Sequence, residues 1–196
     1  LEELYCNGLA IGELNIVNNT ALTTLQCHTN KNLTTLTCSN SFDFTKTHIS
    51  INKGLNILGV NGTVLTPSVV GNIISIDHVT GVVFSTSNGT IKMVSVEETK
   101  DHWNDAKEWC SNYGSGWSLP STDELYDIYK NRSTINSTLS ARGYTTLGTG
   151  DYWSSEGANY NNHYRYISAH TLSFYDGYTS IEDVYHTYYV RAVLAF

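Results

Sequence analysis

The C-terminal part of the chain is bracketed by Asp151-Tyr-Trp-Ser-Ser-Glu156 and Tyr188-Tyr-Val-Arg-Ala-Val193. Large apolar side chains in both brackets predict strands that belong to a core. Between Tyr152 and Tyr189 lie nine of the fourteen tyrosines, and no lysine follows Lys130. Tyrosine rings beside small Asn, Ser and His side chains are typical of a recognition surface. A tyrosine-rich sheet is the alternative interpretation, because tyrosine also favours strands.

We expect the residues between the brackets to supply most of the ligand contacts. This segment has too many Tyr, Asn and His, and too few Leu, Ile and Val, to be entirely core. Strand alternation must still turn some of its side chains inward. The candidate ligand-binding residues are Asn159, Asn161, His163, Tyr164, Tyr166, His170, Tyr175, Tyr178, Tyr185, His186 and Tyr188.

Length and composition limit the class of protein. The 196 residues suffice for one good core or two small domains, and the hydrophobic content of 40% suits a folded chain. A net charge of −7 argues against nucleic acid as a partner, because lysine and arginine supply most of the affinity for phosphate. No run of about 20 apolar residues is present, so membrane insertion is not expected.

A short repeat occupies the first 50 residues. Its spacing of ten or eleven residues gives a full period of about 21, as in leucine-rich repeats. The pattern predicts stacked units, and it resembles the Cys-containing leucine-rich repeats of Bacteroides-type surface proteins. So few units are expected either to continue upstream or to dock onto the rest of the chain. The four units are Leu1-x-x-Leu4-x-Cys6, Ile11-x-x-Leu14-x-Ile16, Leu22-x-x-Leu25-x-Cys27 and Leu33-x-x-Leu36-x-Cys38.

The four cysteines could form two disulfides, but their positions favour reduced thiols. Cys6, Cys27 and Cys38 occupy the same position of the repeat, so we expect them to stack on one side as small buried residues. Cys110 has no His or Cys neighbour in sequence that would activate it.

The segment 51–80 is interpreted as a connector. Alternating Val and Ile over 69–76 and 82–84 predict strands, and Asn88-Gly89 is a hairpin signal. Pro67 marks the expected domain boundary.

Two amphipathic helices come next in the sequence. Trp103, Ala106, Trp109, Cys110 and Tyr113 form one apolar stripe, with Thr99 or Asp101 as the expected cap. Ser121-x-x-Glu124 is a capping box for the second helix, and a third is expected over 133–141. Strands are predicted over 152–155, 164–169, 171–174 and 188–194, with a turn at 176–177.

Five motifs in this order resemble one family. They are similar to those of Bacteroidales Lcl C-terminal (DUF1566-like) domains, which are related to the C-type-lectin-like fold of formylglycine-generating enzymes. The resemblance implies an α+β, C-type-lectin-like ligand-binding domain over 81–196. The motifs are Trp103-x-x-Ala106, Gly116-Trp-x-Leu-Pro120, Tyr152-Trp-Ser-Ser, Phe174-x-x-Gly177 and Tyr189-Val-Arg191-Ala-Val.

The terminal segment also resembles the variable proteins of diversity-generating retroelements, which include phage receptor-binding proteins. In that group, codons near the C-terminus are varied on a C-type-lectin-like scaffold. Asn, Tyr, His, Ser and Asp are among the favoured products of this mutagenesis, and they dominate the segment between the brackets.

No catalytic residue, metal site or cofactor is predicted. Enzymes of the related fold use a cysteine pair where this chain has only Cys110. Asp176, Glu182 and Asp183 are the only clustered carboxylates, and surface turns explain them. The seven histidines lack the spacing of metal ligands. Trp117, Leu119 and Pro120 are interpreted as a core plug rather than a groove.

The sequence therefore favours a non-enzymatic binding module for a protein or carbohydrate receptor. The expected location is extracellular or at a bacterial cell surface, or on a phage particle. A structural adhesin or tail-fibre domain, with the same face packed against another subunit, is the alternative, so oligomerisation is possible. An enzyme of unfamiliar type is the third class.

Overall fold

The computed structural model describes residues 1–44, 46–52, 55–65, 69–87, 90–159 and 167–196, without the side chains of Asn159 and Ile167. The chain divides into two compact units, Leu1–Gly81 and Val82–Phe196.

Strands of the first unit form two parallel ladders. One ladder has the order β1-β3-β5-β7 and the other the order β2-β4-β6, so consecutive strands alternate between the two. The unit is thus a coil with two strands per turn. The strands are β1 (Glu3–Tyr5), β2 (Glu13–Asn15), β3 (Thr24–Gln26), β4 (Thr35–Cys38), β5 (His48–Ile51), β6 (Asn56–Gly59) and β7 (Ile73–Ile76).

The central apolar residue of each repeat unit faces the interior of the coil. Leu25 pairs with Leu4 on one side and Ile49 on the other, and Leu25 is fully buried. Asn30 is also fully buried, and its amide donates to the carbonyl of Cys6 at 2.7 Å and to that of Cys27 at 2.9 Å. The bond to Cys6 joins two successive turns of the coil. Strands β6 and β7 lie within 51–80, the segment that the sequence analysis interprets as a connector. The division into a leucine-rich-repeat segment, a connector and a C-terminal domain stays a prediction.

All four cysteines are free and buried, but their arrangement differs from the prediction. Cys6 and Cys27 are neighbours beside the first ladder, whereas Cys38 lies in β4 opposite Gly59 in the second. The expected stacking of three cysteines on one side is therefore wrong. The eleven-residue unit is half a coil, so Cys38 falls on the opposite side. Burial raises the pKa of Cys27 to about 12, with a smaller contribution from Cys6.

In its described residues, the second unit combines three helices with mainly antiparallel sheets, in which β11 and β14 pair in parallel, and it is therefore α+β. Strands β8, β9 and β15 are neighbours in this order, and a five-stranded sheet has the order β10-β14-β11-β12-β13. The elements are β8 (Val79–Ser87), β9 (Thr90–Ser95), β10 (Thr99–Asp101), α1 (Trp103–Tyr113), α2 (Thr122–Lys130), α3 (Arg132–Ala141), β11 (Asp151–Asn159), β12 (Ile167–Ser173), β13 (Thr179–Asp183), β14 (Tyr188–Val190) and β15 (Val193–Ala195).

The helices match the sequence pattern closely. Helix α1 buries Trp103, Ala106 and Cys110, and α2 begins with the predicted capping box of Ser121 and Glu124. The cap of α1 was predicted wrongly: its first flanking residue is His102, with no side-chain cap, because Thr99 and Asp101 belong to β10.

The strands depart further from the prediction. Strands β10 and β13 were not predicted, and the strand expected over 188–194 is two strands interrupted at Arg191 and Ala192. The segments 164–169 and 171–174 are represented by the single strand β12, and 164–166 lie outside the described residues. Asn88 and Gly89 also lie outside them, between β8 and β9.

Arg191 occupies the core of the second unit, where it is 1% exposed. Its guanidinium donates to the Glu98 carboxylate at 3.0 Å and to the carbonyls of Ser95, Val96 and Thr145. Arg191 thus ties the second bracket to the core of this unit.

The plug predicted around Trp117 is also in the core. Trp117 and Leu119 are each 4% exposed, Pro120 is buried, and Ser118 exchanges two backbone hydrogen bonds with Val193. Trp153 is fully buried, as predicted.

Replacing Arg191 by Leu should lower the free energy of unfolding of the second unit by about 3–5 kcal/mol, because Glu98 and three carbonyls lose a buried donor. Fluorescence-detected denaturation measures this unit alone, since all four tryptophans lie within it. Arg142→Leu, at an exposed position, should change the value by less than about 0.5 kcal/mol. Equal effects of the two variants would contradict the structural role of Arg191.

The first unit should lose stability as the pH falls below 6.5. Burial, and then the His78 ring at 4.0 Å, lower the pKa of His28 from its ordinary 6.5, although Asp77 opposes the shift. The unfolded chain therefore binds more protons than the folded one in this window. Amide hydrogen exchange above and below pH 6.5 should show that this unit opens faster below pH 6.5. His28→Gln should reduce the difference in opening between the two pH values. An unchanged difference in that variant would rule out His28 as the cause.

Candidate functional site

Exposed tyrosines mark the turns at the two ends of β13. Tyr175 and Tyr178 lie between β12 and β13, with 77% and 75% of their surface exposed, and Tyr185 lies between β13 and β14 with 72% exposed. Five residues of strand span roughly 17 Å. The two turns are therefore separate patches at opposite ends of one strand.

Side chains fix the backbone of both turns. In the first turn, the Tyr178 N–H donates to the Asp176 carboxylate at 3.2 Å, and the Tyr175 N–H donates to the Ser173 hydroxyl at 3.3 Å. In the second, the Tyr185 N–H donates to the Asp183 carboxylate at 2.9 Å. The tyrosine rings are thus presented on preorganised backbone. The predicted place of Asp176 in a surface turn is confirmed, whereas Glu182 and Asp183, also expected in surface turns, belong to β13 because they pair with β12.

The first turn packs on helix α2. Gly177 has a φ of +81°, and a β-carbon there would lie 2.7 Å from the Tyr129 ring. Tyr126 stacks on Tyr129 at 6.2 Å and is 43% exposed. Sequence reasoning did not select Tyr126. The available signal was its position between Leu125 and Asp127, off the buried stripe of the helix.

Two cations border this aromatic patch. The Lys130 ammonium lies 4.2 Å from the centre of the Tyr126 ring, and the Arg132 guanidinium lies 4.9 Å from that of Tyr129. Arg132 also donates to the Phe174 carbonyl. Tyr126 and Tyr129 therefore extend the surface around Tyr175 and Tyr178 onto α2.

The second patch includes a tyrosine that is turned inward. Tyr188 is half-buried, and its ring packs edge-on against Trp153 with centroids 4.8 Å apart. Burial, and then the Glu182 carboxylate to which its hydroxyl is hydrogen-bonded, raise the pKa of Tyr188 to about 12. His186 is exposed, with Nδ1 3.8 Å from the same carboxylate. Tyr188 is thus a protonated donor committed to Glu182.

The remaining candidates are divided between the sheet and the part of the chain that is not described. His170 is half-buried in β12 opposite Ile181 of β13. The backbone of Asn159 ends β11, but its side chain is not described. The structure therefore brings Tyr185, His186 and Tyr188 together and separates them from Tyr175 and Tyr178. The candidates outside the described residues are Asn161, His163, Tyr164 and Tyr166.

Cys110 is the one thiol of the second unit, and it is buried. Burial raises the pKa of Cys110 to about 12, so this thiol is a poor nucleophile. In the part of the chain that the structure describes, no three His, Cys, Asp or Glu side chains are grouped to hold a metal ion. None of the helices there has the length and apolar character needed to cross a membrane.

A cavity of about 330 Å³ lies in the first unit, where Thr20, Leu22, Phe42 and Thr47 are among its lining residues. It shares no residue with the tyrosine patches.

No family model and no curated protein matches this chain. Among solved structures, it is similar to EMS16, an antagonist of the collagen receptor integrin alpha2beta1, at 12% identity over 56% of this chain and 94% of that one, with a TM-score of 0.38. Botrocetin matches at 18% identity over 57% of this chain and 93% of its own, with a TM-score of 0.36.

Botrocetin in complex with a mutant von Willebrand factor A1 domain matches at 15% identity over 56% of this chain and 93% of that one, with a TM-score of 0.37.

Two glycine variants test whether the first turn depends on its packing against Tyr129. Gly177→Ala should cost more free energy of unfolding than Gly143→Ala. Both positions have a positive φ, costing roughly 1–3 kcal/mol for a residue other than glycine, but only Gly177 would place its β-carbon against a ring. Equal losses by tryptophan-detected denaturation would mean that the turn does not depend on Tyr129.

Proposed function

We propose that this protein is a non-enzymatic surface binding module that recognises a protein or glycan receptor. The observation that carries the proposal is the exposure of Tyr175, Tyr178 and Tyr185, at 72–77%, on turns whose backbone is held by Asp and Ser side chains. Rigid aromatic side chains on an ordered backbone lose little entropy on binding, so more of the contact energy appears as affinity.

The proposed binding face is wider than these three tyrosines. It includes His170, His186 and Tyr188, which the structure places on β12, the second turn and β14. Tyr126 and Tyr129 extend it onto α2. It also includes the candidates whose side chains are not described, which are Asn159, Asn161, His163, Tyr164 and Tyr166.

The scaffold in this proposal is a C-type-lectin-like domain over 81–196, preceded by a leucine-rich-repeat segment over 1–50 and a connector over 51–80. The order of the sequence motifs and the α+β arrangement of the second unit support it. We place the protein outside the cell, on a bacterial surface or on a phage particle.

Diversification by a retroelement is a further part of the proposal. The buried brackets support it, because Trp153 and Arg191 are at most 1% exposed while Tyr175, Tyr178 and Tyr185 between them are exposed. Such a design separates the residues that hold the fold from those that could vary. Sequencing of close relatives should show substitutions concentrated between the brackets. Substitutions spread evenly along the chain would contradict it.

The binding role can be tested with a triple variant, Tyr175→Ser, Tyr178→Ser and Tyr185→Ser. An array of glycans and extracellular proteins identifies a binder of the unmodified chain. The variant should then lose at least tenfold in affinity, since a central aromatic contact contributes about 2 kcal/mol or more. Its free energy of unfolding should change little, because the rings are exposed. Tyr5→Ser, at a 57% exposed position in the first unit, is the matched control and should bind normally.

Three outcomes decide against the proposal. Unaltered binding by the triple variant would mean that the tyrosines are not the binding face. Loss of folding would make them structural. A change in sedimentation from oligomer to monomer, without a receptor, would favour the adhesin or tail-fibre alternative, in which the same face packs against another subunit.

A further inference from the structure

We propose that the outer edge of β13 pairs with an extended, basic segment of a protein partner. The inference rests on the proposed binding function and names the class of partner and the mode of contact. Strand β13 is the last strand of the five-stranded sheet, and it pairs with β12 through five consecutive residue pairs. Within the described residues, no strand pairs with its other side.

The backbone of β13 offers free hydrogen-bonding groups at this edge. The Ser173 N–H donates to the Tyr178 carbonyl at 2.9 Å, so this pair is a hydrogen-bonded one. Hydrogen-bonded and non-hydrogen-bonded pairs alternate along an antiparallel ladder. Ser180 and Glu182 therefore bond to β12. Thr179 and Ile181 direct their N–H and C=O groups away from it, as does the Asp183 N–H, whereas the Asp183 carbonyl accepts from the His186 N–H at 2.9 Å.

Several of the usual protections of an edge strand are missing from β13, and the charges that it carries, on Glu182 and Asp183, are both negative. It contains no proline, lysine or bulge, and its register with β12 is unbroken. Its first three residues are exposed, including Ile181 at 45%. The opposite edge of the sheet differs, because β10 has only three residues, includes Lys100, and is followed one residue later by α1.

Charge indicates which partner suits this edge. Between residues 167 and 189 the acidic side chains are Asp176, Glu182 and Asp183, and there is no Lys or Arg. A second copy would bring another acidic strand, and like charges across a ladder are unfavourable. Lysine or arginine on the added strand would instead pair with the carboxylates, and could stack on Tyr178 and Tyr185 at the strand ends.

A designed peptide tests the inference directly. The probe is a fluorescent peptide of about ten residues that alternates Thr and Arg, long enough to cover β13. Fluorescence anisotropy should show binding to the full chain, and a peptide with Glu in place of Arg should not bind. Methylation of alternate backbone nitrogens keeps the charge but removes the strand-pairing donors, and should weaken binding at least tenfold.

Two substitutions at Ile181 test for backbone strand pairing from the side of the protein. Ile181→Pro removes an N–H that faces away from β12, so the sheet keeps its own bonds, and binding should weaken at least tenfold. Ile181→Thr keeps the N–H and the β-branched side chain and should bind within about twofold of the unmodified chain. If Ile181→Pro fails to fold, the methylated peptide on the unmodified chain still decides the question.

The inference is overturned if the Thr/Arg peptide does not bind, or if its methylated form binds equally well. A dimer in sedimentation that Ile181→Pro abolishes would show that a second copy occupies the edge. A receptor from the array whose binding needs the turn tyrosines but survives Ile181→Pro would overturn this inference alone and leave the proposed function intact.

Discussion

The second unit depends on one buried ion pair, between Arg191 and Glu98. Burying a guanidinium and a carboxylate is costly unless their hydrogen-bonding groups are satisfied. Here three carbonyls and the carboxylate take the donors of Arg191, and Glu98 also accepts from the Tyr152 hydroxyl at 2.7 Å. The pair joins the end of β9, the loop after α3 and both brackets of the tyrosine-rich segment. Burial and Glu98 raise the pKa of Tyr152, so its hydroxyl remains a donor.

A chain of packed aromatic rings connects this ion pair to the exposed first turn. Tyr152 packs on Phe174 at 4.2 Å and on Tyr189 at 5.3 Å, and Phe174 contacts Tyr129 at 5.8 Å. Phe174 immediately precedes the exposed Tyr175, and Tyr129 supports Gly177. The tyrosines thus have two physical roles. Buried rings pack between the core and the turns, and exposed rings form the proposed binding face.

Sequence patterns predicted the elements whose signal is local and strong. The apolar stripe of α1, the capping box of α2 and the inward Trp153 result directly from residue spacing. Strand β13 could not be predicted in this way, because Thr-Ser-Ile-Glu-Asp has one apolar residue and its strand character comes from pairing with β12. The separation of the tyrosines into two patches depends on that strand. The inward orientation of Tyr188 likewise depends on Trp153 and Glu182, which reach it only through the sheet. In the first unit, the spacing predicted a full period of about 21 residues, and the pairing of Glu3 with Thr24 has this offset. Cys38 lies half a period from Cys27, so it belongs to the second ladder.

The alternating ladders restrict how the first unit can change in length. An insertion of one eleven-residue unit between β3 and β4 would transfer every later strand of the coil to the other ladder. Leu36 would then lie beside Leu25 in the first ladder, in the place that Ile49 now occupies. An insertion of two units would preserve every later pairing. Repeats in this coil should therefore be gained or lost in pairs. Homologous chains should differ in length there by whole turns of the coil rather than by single eleven-residue repeats.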